Sequence, residues 1–344
     1  MTNAFEQLRA RLADEPRTWL VTGVGGFVAS HIAATLLEWG QRVRGVDNFV
    51  TGRRSNLEAI RAQVGDEAYA RFEFLEADVV DLEAMTRAAS GADHVVHQAA
   101  IGSVPRSIED PAFTFRNNVI GTFHMLEATR AAGVKSFVFA SSSSVYGDHP
   151  ALPKREAEVG LVLSPYAASK AAGEAHIAAY SSAMGLRAVG LRYFNVIGSR
   201  QDPDGPYAAV VPRWVAEFAA GRRPKIFGDG ETSRDFCPVA NVVQANLLAA
   251  FAPDDALGHV FNVALGRRTT LNELFDMIRD GMVELGSPCE GMTPDYEDFR
   301  PGDIRHSHAD ISAIVDALGY APTVGVDEAL RDAMRGHLEA EGAS

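Results

Sequence analysis

Trp19-Leu20-Val21-Thr22-Gly23-Val24-Gly25-Gly26-Phe27-Val28-Ala29-Ser30 is a short apolar, partly β-branched run followed at once by a glycine-rich turn. A helical stretch then runs from about Ser30 to Trp39 and stops at Gly40. Strand, glycine turn and helix in that order form the context a dinucleotide-binding site requires. Gly23 permits the tight turn, and Gly26 lets the backbone close on a pyrophosphate seated over the free N–H groups of the helix N-terminus. Position 29, where a third glycine usually brings helix against strand, holds the small residue Ala.

Reading outward, a second strand, Arg42–Val46, ends in Asp47-Asn48. Asp47 follows Gly26 by about 20 residues, the spacing of a carboxylate that accepts the adenosine ribose hydroxyls. A carboxylate there repels a 2′-phosphate and favours NAD, while Arg53 and Arg54 keep NADP open. Otherwise Thr51–Asn56 reads as a solvated loop. The alternation continues through a strand at Phe72–Ala77 closing on Asp78-Val79, a helix at Leu82–Ala89, and a strand at His94–Gln98. A loop of small residues, Ala99–Ser103, precedes a helix from about Ala112 to Ala131 and a fifth strand, Ser136–Ala140. Such alternation predicts an α/β fold with a doubly wound parallel sheet of Rossmann type. Ligands of such sheets bind at the carboxyl ends of the strands. The glycine loop, Asp47, Ala99–Ser103 and Ser141–Ser144 all fall there.

The fifth strand runs into four serines, and Tyr166-Ala167-Ala168-Ser169-Lys170 opens the next helix, with Pro165 at its start and Ser164 as N-cap. Tyr and Lys four apart share a helix face. A phenol titrates near pH ~10 and a fixed ammonium beside it lowers that value. A lowered Tyr166 exchanges a proton with a substrate hydroxyl, and a strand-end serine holds the same oxygen.

The chain has 344 residues, 47% apolar and 22% charged, with a formal net charge of −13. The length predicts two domains or one large sheet with an appended lobe. An acidic chain lacks the electrostatic footprint of a nucleic-acid binder, so no nucleic-acid partner is expected. No apolar run reaches the ~18 residues of a membrane span, and the N-terminal stretch lacks an apolar signal core. That stretch reads as an amphipathic helix ending at Pro16 and packed outside the fold. Cys237 and Cys289 have no metal-type spacing and read as buried reduced thiols of a cytoplasmic protein. No metal is expected. His31, His94 and His306 read as structural.

Taken together, these residues resemble an extended short-chain dehydrogenase/reductase, and more closely a nucleotide-sugar 4-epimerase. The marks are Thr22-Gly23-x-x-Gly26-Phe27, Asp47-Asn48, Asn117-Asn118-Val119-x-Gly121-Thr122, Ser142 before Tyr146-Gly147, Tyr166-x-x-x-Lys170, Leu191–Asn195, and Gly228-Asp229-Gly230-x-x-x-Arg234-Asp235. Gln98–Arg106, Tyr146–Pro153 and Arg200–Pro212 look most like bacterial UDP-N-acetylglucosamine 4-epimerases of surface-polysaccharide synthesis. The resemblance implies reversible C4 epimerisation of UDP-GlcNAc and UDP-GalNAc, by transient hydride transfer to tightly bound NAD through a 4-keto sugar. It implies Tyr166, Lys170 and Ser142 as catalytic residues. NAD contacts are implied at Gly23, Gly26, Phe27, Val28, Asp47, Asn48, Asp78, Val79, Gln98, Ala99, Ala100, Asn117, Tyr166, Lys170 and Tyr193. A homodimer through a four-helix bundle, using the helices of Asn117 and Tyr166, is also implied.

After Asn195 the pattern changes. Ser199–Tyr207 is a Gly/Pro/Asp-rich loop, Val210–Ala220 is helical, and Lys225–Phe227 is a short strand. The expected division is an NAD-binding domain, 1–195, to which 236–256 returns, and a UDP-sugar lobe, 196–344, built from Val260–Val263, Leu271–Leu285, Asp310–Leu318 and Asp327–Leu338. By resemblance, Asn195, Ala209, Val210, Lys225 and Phe227 line the uracil and diphosphate region, Arg234 and Arg300 meet the diphosphate, and Asp303 holds a ribose hydroxyl. Gly102, Ser103, Ser142, Ser143 and Tyr166 face the sugar. Ser307 marks a size gate, whose small side chain admits an N-acetyl group. A UDP-glucose/galactose or UDP-GlcNAc-uronate 4-epimerase is the alternative. A 4,6-dehydratase needs an Asp-Glu pair where this chain has Ser143-Ser144, and a non-catalytic NAD sensor has no need of both Tyr166 and Lys170.

Overall fold

In the computed structural model, residues 3–203, 209–299 and 304–342 are described. The first helix, α1 (Ala4–Asp14), is capped by Asn3 and buries Leu8 and Leu12. It stops two residues short of Pro16. Then β1 (Thr18–Thr22) leads through the glycine turn into α2 (Phe27–Glu38), followed by β2 (Arg42–Asp47), α3 (Arg54–Tyr69), β3 (Phe72–Glu76), α4 (Leu82–Ala89) and β4 (His94–His97). Two short helices, α5 (Val104–Glu109) and α6 (Pro111–Phe115), precede a π-helical turn at Arg116–Ile120 and α7 (Gly121–Ala131). Next come β5 (Ser136–Ser142), a 3₁₀ turn at Ser143–Tyr146, α8 (Pro165–Met184), β6 (Ala188–Tyr193) and β7 (Asn195–Ile197). The remainder is α9 (Val210–Ala219), β8 (Lys225–Phe227), β9 (Ser233–Arg234), β10 (Phe236–Pro238), α10 (Val239–Ala249), β11 (Val260–Val263), β12 (Thr269–Thr270), α11 (Leu271–Glu284), β13 (Asp295–Glu297), α12 (Ser312–Leu318) and α13 (Val326–Gly342).

Seven strands form one parallel sheet in the order β11-β6-β5-β4-β1-β2-β3. The strand order reverses between β1 and β4, which opens a crevice at their carboxyl ends. Two cores cover the faces. One joins α1, α2, α10 and α12 around Trp19, Val21 and Val138; the other joins α4, α7 and α8 around Leu20, Val95 and Phe137. A third core, with Trp214, Phe218, Phe275 and Met334, belongs to α9, α11 and α13.

Several expectations change. The α2 helix starts at Phe27, not near Ser30, because Gly26 takes the N-cap position without any side-chain cap. The loop expected at Thr51–Asn56 runs into α3, whose only buried residues are Asn56 and Ile60 and which Gly65 interrupts; so little apolar periodicity hides a helix. The helix expected over 112–131 is divided by the π-helical turn. Val260–Val263 is no part of the smaller lobe: it pairs with β6 as the edge strand of the main sheet. The helix expected over Asp310–Leu318, α12, likewise packs with the main-sheet core through Ile314 and Leu318. Four-residue runs carry no information about which sheet they join. Cys237 and Cys289 are both buried and unbridged. Among the described residues no helix is long and apolar enough to cross a membrane.

Candidate active site

Gly23 holds φ +71°, a conformation that favours glycine, and its N–H donates to the Val46 carbonyl at 2.7 Å. A Cβ on Gly23 would stand 2.9 Å from the Ala99 backbone, and one on Gly26 2.9 Å from the Gly23 oxygen. With no side chain capping α2, its first N–H groups are open to an anion. Buried Asp47 braces this loop: its carboxylate accepts from the Gly25 N–H at 2.9 Å and the Phe49 N–H at 2.7 Å. Burial pushes its pKa up and those backbone donors pull it back. A small cavity of about 90 Å³ beside it is walled by Asp47, Asn48, Val79, Ala99 and Asn117. Asp78 stands off that wall and accepts the Val80 N–H at 3.0 Å. Arg53, on the wall of the cleft described next, pairs with Asp202 at 3.2 Å, and Arg54 pairs with Glu76 at 2.7 Å.

The cavity opens into a cleft of about 960 Å³ along the carboxyl ends of β1, β4, β5 and β6. Its wall carries Gly23, Gly26, Phe27, Val28, Gln98, Ala100, Gly102, Ser103, Ser142, Tyr166, Lys170 and Tyr193. Gln98 and Tyr193 are tied together, and both to buried Asn246 of α10, by hydrogen bonds of 2.8–3.1 Å. Ser143 opens the 3₁₀ turn away from the wall.

On α8, Ser164 caps the helix by accepting the Ala167 N–H at 3.1 Å. Burial raises the Tyr166 phenol above its ordinary pKa, and Ser142 beside it pulls the other way. The expectation that Lys170 lowers it is corrected here. The Lys170 ammonium lies 5.9 Å from the Tyr166 ring centre and donates to the Ala140 carbonyl at 2.7 Å. Burial lowers Lys170 itself to about 8, with Glu174 pushing the other way. The residues present fit a dinucleotide: a glycine cradle that a Cβ would fill, open helix N–H groups, and a carboxylate at ribose distance in sequence.

A second cavity, about 350 Å³, shares Val196 and Ala209 with the cleft and is lined by Asn195, Val210, Lys225, Phe227 and Arg234. Lys225 is ion-paired with Glu297 at 2.7 Å. Arg234 donates to the Ser233 carbonyl at 3.0 Å. Ser307 is not on either wall; its N–H donates to the Ser233 carbonyl at 3.0 Å. Arg300 and Asp303 lie outside the described residues.

A family model described as the NAD-dependent epimerase/dehydratase family matches residues 19–264. The chain belongs to that family. It is 39% identical over 313 residues to a UDP-glucose 4-epimerase of Mycolicibacterium smegmatis, covering 90% of this chain and 95% of that one. Among solved structures it is similar to a UDP-N-acetylglucosamine 4-epimerase of Methanobrevibacter ruminantium in complex with UDP-N-acetylmuramic acid (TM-score 0.86, 36% identity, 94% of this chain and 99% of that one). It is similar also to a Thermus thermophilus UDP-glucose 4-epimerase in complex with NAD (TM-score 0.79, 34% identity, 94% and 99%). In this member of the NAD-dependent epimerase/dehydratase family, several site-building residues escaped sequence reasoning. Asn118, on the π-helical turn, accepts the Ile101 N–H at 2.7 Å and donates to Ser169 at 3.0 Å, clamping the loop of small residues to α8. Ser107 accepts the Tyr166 N–H at 3.1 Å. Asn56 donates to the Gly25 carbonyl at 2.8 Å. Only Asn118 stood inside a recognised motif; the others have polar side chains whose partners lie tens of residues away.

Proposed function

We propose that the protein is an NAD-dependent UDP-sugar 4-epimerase, an isomerase, and that it interconverts UDP-GlcNAc and UDP-GalNAc. The reaction reading rests on Ser142, Tyr166 and Lys170 standing together on the wall of a cleft that continues into the second cavity. Bound NAD supplies the acceptor for the hydrogen on C4. Tyr166 Oη takes the proton of the C4 hydroxyl, Ser142 Oγ holds that oxygen, and Lys170 supplies positive charge behind them. The 4-keto sugar turns about its link to the diphosphate and presents its other face; the hydrogen taken from C4 would return from the dinucleotide to that face while Tyr166 gives the proton back to O4, so C4 is inverted. Throughout, the uridine diphosphate stays on Asn195, Ala209, Val210, Lys225, Phe227 and Arg234, with Arg300 and Asp303 assigned to diphosphate and ribose. Asp78 and Ser143 lie on neither cavity wall and would reach the ligands only from behind it.

The N-acetyl reading is supported by open space: no atom lies within 4 Å of where a Cβ on Gly102 would stand. Ser103 turns its side chain back to cap α5. Turnover across UDP-GlcNAc, UDP-GalNAc, UDP-Glc, UDP-Gal and the uronates tests it. A pocket that accommodates the N-acetyl group should favour those sugars in kcat/KM by roughly tenfold or more. Gly102→Leu and Ser307→Tyr should each cut N-acetyl turnover and spare UDP-Glc; if Ser307→Tyr leaves it intact, the gate assignment is wrong. Preference for UDP-Glc or a uronate sinks the N-acetyl reading alone.

We also propose a cytoplasmic homodimer and a division between an NAD-binding part and a UDP-sugar lobe near residue 195. The buried free thiols and the exposed Phe115 and Phe123, on helices beside α8, support the first. Light scattering giving a monomer would remove the dimer.

A further inference from the structure

Three consecutive residues at the end of β5 are tied to three residues spaced by four along α8. The Ala140 carbonyl accepts from Lys170 Nζ at 2.7 Å, Ser142 shares the cleft wall with Tyr166, and between them Ser141 Oγ donates to Glu174. Glu174 is itself gripped by Arg192, whose Nε and terminal nitrogen each reach one carboxylate oxygen at 2.8 Å. Both side chains are nearly buried, 12% and 5% exposed. Arg192 is the cross-strand partner of Ser141 in the β5–β6 register, so the carboxylate bridges neighbouring strands as well as strand and helix. Arg192 is fixed further by donating to the Glu156 carbonyl at 3.0 Å and by lying 4.9 Å over the Tyr146 ring. The first two ties belong to the reacting groups. Glu174 touches neither cleft nor reacting atoms and is absent from the wall.

We propose that Glu174, held by Arg192 and latched to Ser141, is a positioning residue that sets how α8 sits along β5, and through that register sets the Tyr166–Ser142 and Lys170–Ala140 contacts. The inference rests on the 4-epimerase reading. A carboxylate with both oxygens in a bidentate Arg fork has a fixed orientation. The lone pair left on Oε1 therefore defines one place for the Ser141 hydroxyl, and Ser141 carries its two neighbours with it. Loss of the latch lets the strand end shift by fractions of an ångström, and a displacement of ~1 Å costs on the order of 10²-fold in rate.

The test uses the full-length, NAD-loaded enzyme. Ser141→Ala removes the latch and leaves the Arg192–Glu174 ion pair intact, so it preserves the fold. It should lower kcat by about tenfold while leaving KM for the UDP-sugar within about twofold, since the lost term acts at the reacting groups and not at the diphosphate. Glu174→Gln should do the same, with additional loss of thermal stability because buried Arg192 is left with a neutral partner. If Glu174→Gln does not fold, Ser141→Ala decides. Wild-type kcat in Ser141→Ala, or a fall in kcat matched by an equal rise in KM, overturns the proposal. Absence of any UDP-sugar turnover in the unaltered protein would instead sink the 4-epimerase reading, so the two failures are distinguishable.

Discussion

At the scale of single residues, the site turns on a phenol whose burial works against its task. Tyr166 is raised by desolvation, and Ser142 alone counters it. The phenol therefore holds its proton at neutral pH. Tyr166→Phe removes one hydroxyl whose protein partner is Ser142, so the fold should survive. Turnover should fall by about 10²–10⁴-fold, the span of a lost general acid–base, with the melting temperature and NAD binding retained. A variant with more than about a tenth of wild-type turnover would remove Tyr166 from this role. The Tyr–Lys pair was readable because i and i+4 share a helix face. Where the ammonium points was not: it depends on the Ala140 carbonyl, 30 positions away in the chain.

Elements explain how such side chains come together. The α8 helix approaches β5 closely at Gly173, where a Cβ would fall 2.3 Å from the Phe139 ring. Phe139 is 1% exposed and cannot yield. Ala is the better helix former by about 1 kcal/mol, but overpacking a dense core costs about 1–3 kcal/mol. Gly173→Ala should therefore lower stability and displace the catalytic helix, measured as a lower denaturation midpoint together with reduced kcat. A more stable variant would show that helix and strand have room to part. The π-helical turn at Arg116–Ile120 is the other device at this scale. Its extra residue lets adjacent Asn117 and Asn118 serve different walls, Asn117 beside the small cavity and Asn118 on the Ile101 backbone. Sequence reading gives one continuous helix there, because Arg116–Ile120 holds no Gly or Pro to mark a break.

At the scale of the whole molecule, buried His94 and His97 and half-buried His31 all have depressed pKa values. Burial lowers His31 and His94 to about 4 and His97 to about 3, with Arg200 adding to the effect at His31 and Lys170 at His97. Their folded values lie below the unfolded 6.5, so the stability they contribute is fully present above pH ~6.5 and is lost as pH falls through about 4 to 3. Denaturant midpoints should accordingly drop steeply between pH ~6.5 and ~4, and a flat profile there would mean that these imidazoles are already protonated in the folded protein. Between His97 and its partners Thr22 and Thr122, at 2.8 and 3.1 Å, lies the support of the crevice floor. The α/β class, the glycine cradle, Asp47 and the Tyr–Lys helix face were determined by the sequence itself, because each is a local matter of φ/ψ freedom, periodicity or spacing within about one helical repeat. The destination of β11 in the main sheet, the Glu174 latch, the Asn118 clamp and the direction of the Tyr166 and Lys170 shifts were decided by the tertiary structure alone. Each depends on burial and on partners brought together from distant parts of the chain, and a sequence pattern carries neither.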